Sequence, residues 1–289
     1  MLRVIIIANP VAGRHAGSSI AAFEQALIAR GCTVEIRYTA QRGDGRALAR
    51  AVAQSAPDAV AAAGGDGTIN EVASGLAHSG VAMGVLPLGT ANVLAHELGL
   101  PGDAEGLAAV ITAGKREVIH LGRCGDQTFL LMAGIGFDAQ AVAATSLRIK
   151  RWAGRLAYGL GGLQTLASLS LPRLALEVDG EDLEGYSAVV SNARHYGGRF
   201  VVSPEAGLGR PYLDLCLFTR PGRLRMLSYL WSILNGKHTQ RPDVVTRAAH
   251  HISVRAAGAA VLQLDGDVAG RLPVTLTLEE DALVILRPQ

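Results

Sequence analysis

Between residues 59 and 71 the chain reads Ala59-Val60-Ala61-Ala62-Ala63-Gly64-Gly65-Asp66-Gly67-Thr68-Ile69-Asn70-Glu71. A short apolar run without polar alternation suits a strand buried on both faces, as in a parallel sheet. The glycines let backbone approach an anion closely. A helix opening near Ile69 would add unpaired N–H groups and the positive end of its dipole, with Thr68 supplying a hydroxyl. The pattern recurs elsewhere. The apolar run at residues 81–86 leads into Pro87-Leu88-Gly89-Thr90-Ala91-Asn92, and the β-branched run at residues 2–8 leads into Asn9-Pro10-Val11-Ala12-Gly13-Arg14. A lone loop of this kind is an ordinary strand-to-helix turn. Three at equivalent strand ends point to a ligand at the carboxyl edge of a parallel sheet. Neither GxxxxGK[ST] nor GxGxxG occurs, so these are not the loops of a P-loop or a dinucleotide fingerprint.

Outward from these loops, strand and helix alternate over residues 1–115. Ser18 or Ser19 is placed to cap a helix carrying Ile20, Phe23 and Leu27 on one face and ending at Gly31. A strand follows at residues 34–38, then a helix around Leu48 and Val52. After Lys115 the texture changes to strand-like runs at residues 117–123, 128–132, 174–178, 188–191, 213–218, 251–255, 261–264, 274–278 and 283–286, separated by Gly, Pro and Asp. That predicts an α/β domain with a parallel sheet over residues 1–117. A mainly antiparallel β domain would fill residues 118–289, with the last strand free to return to the first domain.

Composition narrows the function. The 289 residues are 49% apolar, enough for a sizeable core, and 27 Lys and Arg stand against 25 Asp and Glu. A net charge of +2 is too mild for a nucleic-acid partner. Cys32, Cys124 and Cys216 are odd in number and far apart, which argues against a disulfide framework or zinc site and for a reducing cytoplasm. No signal segment is read at the start, and the mature chain is expected to begin near Met1. The stretch at residues 153–171 is apolar but carries Arg155, Gln164 and four glycines, so it reads as a buried or interfacial helix rather than a span. Charge is segregated. Residues 139–176 hold no acid against five bases, and residues 185–242 hold eight bases against Glu205 and Asp214. Beside Trp152, Tyr158 and Trp231 such surfaces suit an anionic bilayer as well as plain solvent.

Asn9-Pro10 with Gly13, Thr39, Gly-Gly-Asp-Gly-Thr at 64–68 and Pro-Leu-Gly-Thr at 87–90, in this order and spacing, resemble the diacylglycerol kinase catalytic-domain family, which includes sphingosine kinases and bacterial lipid kinases. Gly134-Ile135-Gly136-Phe137-Asp138-Ala139, the basic-aromatic segment 150–158, Asn192 with Gly197-Gly198, Pro204, Leu213-Asp214 and Asp265-Gly266-Asp267 are similar to its second-domain landmarks. Gly-Gly-Asp-Gly-Thr alone is shared with NAD kinases and phosphofructokinase-like folds.

The resemblance implies an enzyme using ATP and Mg²⁺ to phosphorylate a lipid hydroxyl, with ATP in the cleft between the domains. The nucleotide would be held by Asn9, Gly13, Thr39, Gly64, Gly65, Asp66, Gly67, Thr68, Asn70, Glu71, Gly89, Thr90 and Asn92. Asp66 would also hold the metal. The family's late Asp-Gly-Glu supplies a general base; here Asp267 stands in that place, one methylene shorter, while Asp-Gly is also a strong hairpin signal. Many relatives have Asp-Gly where Arg210-Pro211 stands, and that aspartate belongs to a structural metal site. Arginine cannot ligate Mg²⁺, so that second site is expected to be absent. The acceptor cleft is expected near Phe137, Tyr158, Tyr196 and Phe200, and the acid-free residues 139–176 are expected to touch the inner membrane face. A homodimer is allowed for. Two other readings stay open: a kinase for a soluble acceptor such as NAD, and a nucleotide- or lipid-binding module without turnover.

Overall fold

A computed structural model describes residues 1–13, 15–137, 139–140 and 171–289. The expectations for Asp138, the segment 150–158, Tyr158, the helix at 153–171 and most of the acid-free run fall outside these residues. The chain forms two compact units, Met1–His120 with Glu280–Gln289, and Leu121–Glu279. Against an expected division at residue 117, the first unit runs on into the fifth strand and takes back the last residues of the chain.

The first unit is built from β1 (Arg3–Ala8), α1 (Ala16–Ala29), β2 (Thr33–Tyr38), α2 (Asp44–Ala53), β3 (Ala59–Gly64), α3 (Asp66–Leu76), β4 (Ala82–Pro87), α4 (Val93–Leu98) and α5 (Ala104–Ala113). The strands lie in the order β2-β1-β3-β4, all parallel. Strand β1 lacks alternation because both of its faces are covered, and Val4 to Ala8 are all fully buried. On one face of the sheet, Ile20, Phe23 and Leu27 of α1 and Leu107, Val110 and Ile111 of α5 close the core. Helix α1 begins earlier than its serines suggested. His15 is the N-cap without a side-chain bond, and Ser18 turns its hydroxyl back to the His15 carbonyl, 3.0 Å away, so neither Ser18 nor Ser19 is the cap. At α5 the capping is by side chain: Asp103 accepts from the Gly106 N–H at 2.7 Å.

Strand β5 (Lys115–Cys124) leads into the second unit and pairs with β6 (Gln127–Phe129). Then come β7 (Met132–Ile135), β8 (Leu174–Val178), β9 (Glu181–Gly185), β10 (Ser187–Ser191), β11 (His195–Tyr196), β12 (Phe200–Val201), β13 (Leu213–Phe218), α6 (Arg223–Leu234), β14 (Val244–Ala249), β15 (His251–Ala256), β16 (Val261–Leu264), β17 (Asp267–Arg271) and β18 (Val274–Arg287). Six strands form an antiparallel sheet in the order β14-β13-β10-β7-β16-β17. A second antiparallel group, β9-β8-β15 and the start of β18, packs on it through Leu174, Leu176, Val178, Ile252 and Val254 against Ile135, Val190, Leu215 and Leu262. Period-two burial, as in β8, supplies these inward faces.

Several elements depart from the sequence reading. The run 128–132 is two strands, broken at Leu130-Leu131. The runs 274–278 and 283–286 are one strand, β18, whose last residues pair in parallel with β4. Helix α6 and strands β9, β14 and β17 lie in segments the apolar pattern left unassigned.

Candidate active site

The three glycine loops leave β1, β3 and β4, which are immediate neighbours in the sheet, so all three start from one edge. Ladder bonds run on past the strand ends and hold the corners in line. Asn9 N–H donates to Ala63 O (2.8 Å), Leu88 N–H to Gly64 O (2.8 Å) and Thr39 N–H to Ala8 O (2.9 Å). Asn9 then staples two loops together. Its Oδ1 accepts from Val11 N–H at 3.1 Å, and its Nδ2 donates to Thr68 Oγ1 at 3.2 Å.

The contact between loops is backbone to backbone. A Cβ on Gly89 would lie 2.8 Å from Gly65 Cα and 2.9 Å from Asn92 Oδ1, so a side chain there would prise the β3 and β4 corners apart. Gly13 closes the third side. Its φ of +94° is left-handed, and a Cβ would stand 2.5 Å from the Leu88 carbonyl oxygen.

Helix α3 opens on this corner with Gly65 as an N-cap that makes no side-chain bond. The N–H groups of Gly67 and Thr68 therefore have no backbone acceptor within the helix, while that of Asp66 turns to its own carboxylate. Asp66 is largely buried. Its Oδ1 sits 3.5 Å from the Leu94 N–H. Burial pushes its carboxyl above the usual value, and the N–H groups of Leu94, Val93 and Asn92 pull it part of the way back. Asn70 and Asn92 each bury an Oδ1 with no hydrogen-bond partner among the described residues. A corner with open amides beside a largely buried carboxylate and the unpartnered Asn92 carbonyl oxygen fits both phosphate and a hard cation. Among the described residues no three His, Cys, Asp or Glu side chains cluster as metal ligands. A Mg²⁺ here would therefore rest on Asp66, with amide and phosphate oxygens completing its shell.

Of the expected nucleotide residues, Asn9, Gly13, Gly64, Gly65, Asp66, Gly67, Thr68, Gly89 and Asn92 are brought together. Asn70 lies one turn along α3 from Asp66, Thr90 is exposed at the tip of its loop, and Thr39 follows β2, bonded to Ala8. Glu71 faces elsewhere. Its carboxylate accepts from Gly43 N–H at 2.8 Å and Gly45 N–H at 3.0 Å, tying the start of α2 to α3. These two bonds give it a positioning role.

In the second unit Asp265-Gly266 forms the two-residue β16–β17 turn, with φ of +48° and +84°, and Asp267 follows it opposite Leu264. Positive φ at both turn residues is what a tight hairpin requires. Asp265 has a structural task the sequence did not disclose. Its carboxylate accepts from the N–H groups of Leu130 (2.7 Å), Leu131 and Met132 (2.9 Å each). Asn192 donates to the Leu130 carbonyl at 2.9 Å, and its own N–H reaches Leu131 O at 2.8 Å. Two landmarks far apart in sequence thus clamp one segment, which is why 128–132 breaks into β6 and β7. Of the expected acceptor residues, Phe137 is buried, while Tyr196 and Phe200 face each other across the β11–β12 pair.

Asp214 carries a second perturbed carboxyl, raised to about 6 by burial and by the nearby Glu205, against the lowering effect of Arg210. His250 and His251 lie beside Asp179 and Glu177 on the surface. The three cysteines are free thiols; burial pushes Cys216 up to about 12, so it packs rather than reacts.

The architecture defines a class: a parallel α/β unit whose neighbouring strand ends converge glycine loops suited to phosphate, joined to an antiparallel β sandwich. Residues 3–124 match the diacylglycerol kinase catalytic domain, and residues 132–287 match the YegS C-terminal NAD kinase beta sandwich-like domain. A diacylglycerol kinase of Bacillus subtilis (strain 168) is 31% identical over 94% of this chain and 92% of its own length, and one of Mycobacterium tuberculosis is 30% identical over 99% and 96%. A crystal structure of a diacylglycerol kinase from Bacillus anthracis str. Sterne superposes with a TM-score of 0.77 at 22% identity, covering 99% of this chain and 96% of that one. The chain belongs to the diacylglycerol kinase family, and is a kinase-family protein of two domains.

Proposed function

We propose that this protein transfers the terminal phosphoryl group of ATP to the hydroxyl of a lipid, diacylglycerol being the acceptor that its relatives' names suggest. The observation that carries the reading is the convergence of the β1, β3 and β4 loops on one corner, with the Gly67 and Thr68 amides open at the start of α3 and the largely buried Asp66 carboxylate beside them. Phosphoryl transfer asks a protein mainly for positioning and charge stabilisation. The amides of Gly67 and Thr68 would hold phosphate oxygens, and Gly13 and Gly89 would leave room for them. Mg²⁺, held by Asp66, would supply neutralising charge between those oxygens. Asp267 would take the proton of the acceptor hydroxyl.

The experiment is phosphorylation of a total lipid extract by the purified chain with labelled ATP, run beside NAD, with the product identified by mass. A labelled phosphatidate-type lipid is the expected result. Label in NAD would favour a soluble acceptor, and ATP binding without label in any acceptor would favour a binding module.

A further inference from the structure

Helix α6 is amphipathic in the opposite sense to a core helix. Its inner face is Met226, Tyr229 and Ser232, all buried. Tyr229 packs on Phe218 with ring centroids 4.9 Å apart, lies under the Arg241 guanidinium at 4.7 Å, and donates its hydroxyl to the Asp243 carbonyl at 3.2 Å. Arg225 and Arg241 both pair with the Asp243 carboxylate, at 3.2 and 2.9 Å. The helix is therefore firmly fastened by its polar side. Its outer face holds Leu224, Leu227, Trp231 and Leu234, spaced three, four and three residues apart, with Leu230 beside them; Leu224 is 82% and Trp231 70% exposed. That spacing makes one continuous stripe.

The charges around the stripe are of one sign. Residues 219–242 contain no Asp or Glu. Arg220 and Arg223 at one end of the helix and Lys237 just past the other are exposed, and none of the three has an ion-pair partner among the described residues. A second copy of this chain seated on the stripe would bring these cations together with no carboxylate from the same stretch to meet them. An anionic bilayer meets both features at once. Leucines and a tryptophan enter the headgroup boundary while arginine and lysine stay at phosphate level.

We infer that the outward face of α6 docks the protein on anionic phospholipid bilayers, with Leu227 and Trp231 as the inserted anchors and Arg220, Arg223 and Lys237 as the headgroup contacts. The inference deepens the lipid-kinase reading, since it names how the chain meets its substrate's phase, but its test is independent of turnover.

Co-sedimentation of the full chain, without ATP, compares vesicles of phosphatidylcholine with vesicles of phosphatidylcholine plus phosphatidylglycerol. Binding should need phosphatidylglycerol and weaken with salt. L227Q/W231Q should lower it at least about tenfold, with the melting temperature unchanged, and R220Q/R223Q/K237Q should lower it and remove its salt dependence. A second readout is phosphoryl transfer to a short-chain, water-soluble diacylglycerol, which both variants should retain. Unchanged vesicle binding in L227Q/W231Q would overturn the docking inference, as would a wild-type dimer that these substitutions dissociate while vesicle binding persists. No transfer to the short-chain acceptor by the wild type, with vesicle docking intact, would instead count against the kinase reading alone.

Discussion

Asp265 turns its carboxylate onto the N–H groups of Leu130, Leu131 and Met132, whereas Asp267, beyond a single glycine, opens β17. The two should respond to substitution in opposite ways. Asp265→Ala strands three amides that have charge-assisted bonds, at a cost of about 3 kcal/mol, and thermal unfolding should show a clear drop in Tm. Asp267→Asn should leave Tm in place and lower kcat by ~10² or more. If Asp267→Asn turned over as fast as the wild type, Asp267 would not be the base. Asp66→Asn should also lower kcat by ~10² or more, and because burial already disfavours the charged carboxylate, its folded state should be no less stable at neutral pH. The sequence singled out these aspartates but could not separate them. Asp-Gly announces a tight turn, yet which neighbouring amides the Asp265 carboxylate meets depends on a strand more than a hundred residues away.

At the level of elements, the parallel half was legible because β1, β3 and β4 bury both faces and the loop after each carries its own glycine signature. The pairing of β1, β3 and β4 as neighbours then brings the loops together without any further instruction. This contact makes a sharp prediction. Gly89→Ala places a methyl against Gly65 Cα and Asn92 Oδ1 and should raise the KM for ATP at least about tenfold. Gly102→Ala, where nothing lies within 4 Å of the added Cβ, should leave it unchanged. Steady-state kinetics on the pair separates a specific steric effect from a general loss of fold. Less was legible in the second half. Helix α6 escaped notice because its leucines face outward, so the apolar run does not report a buried face. Strand β9 (Glu181–Gly185) is mostly exposed and polar, and only its register with β8 makes it a strand. The break in 128–132 likewise follows from Asp265 and Asn192, not from any local breaker.

For the whole molecule, stability should depend on pH through Asp214, whose carboxyl is raised to about 6 by burial and by Glu205. The folded chain holds that proton more tightly than the unfolded chain, whose ordinary value is 3.8. The contribution to stability is complete below about pH 4 and is lost as pH rises through about 6. Asp214→Asn removes the ionisation, so its Tm should exceed that of the wild type at pH 8 and match it near pH 4; equal Tm values at both would remove this assignment. The central claim, that three neighbouring strand ends grip one triphosphate, is tested by amide hydrogen exchange on the full chain with and without ATP and Mg²⁺. Exchange should slow together in peptides covering residues 9–13, 64–70 and 88–92. ATP binding that slows exchange in only one of these loops, or in none of them, would contradict the account.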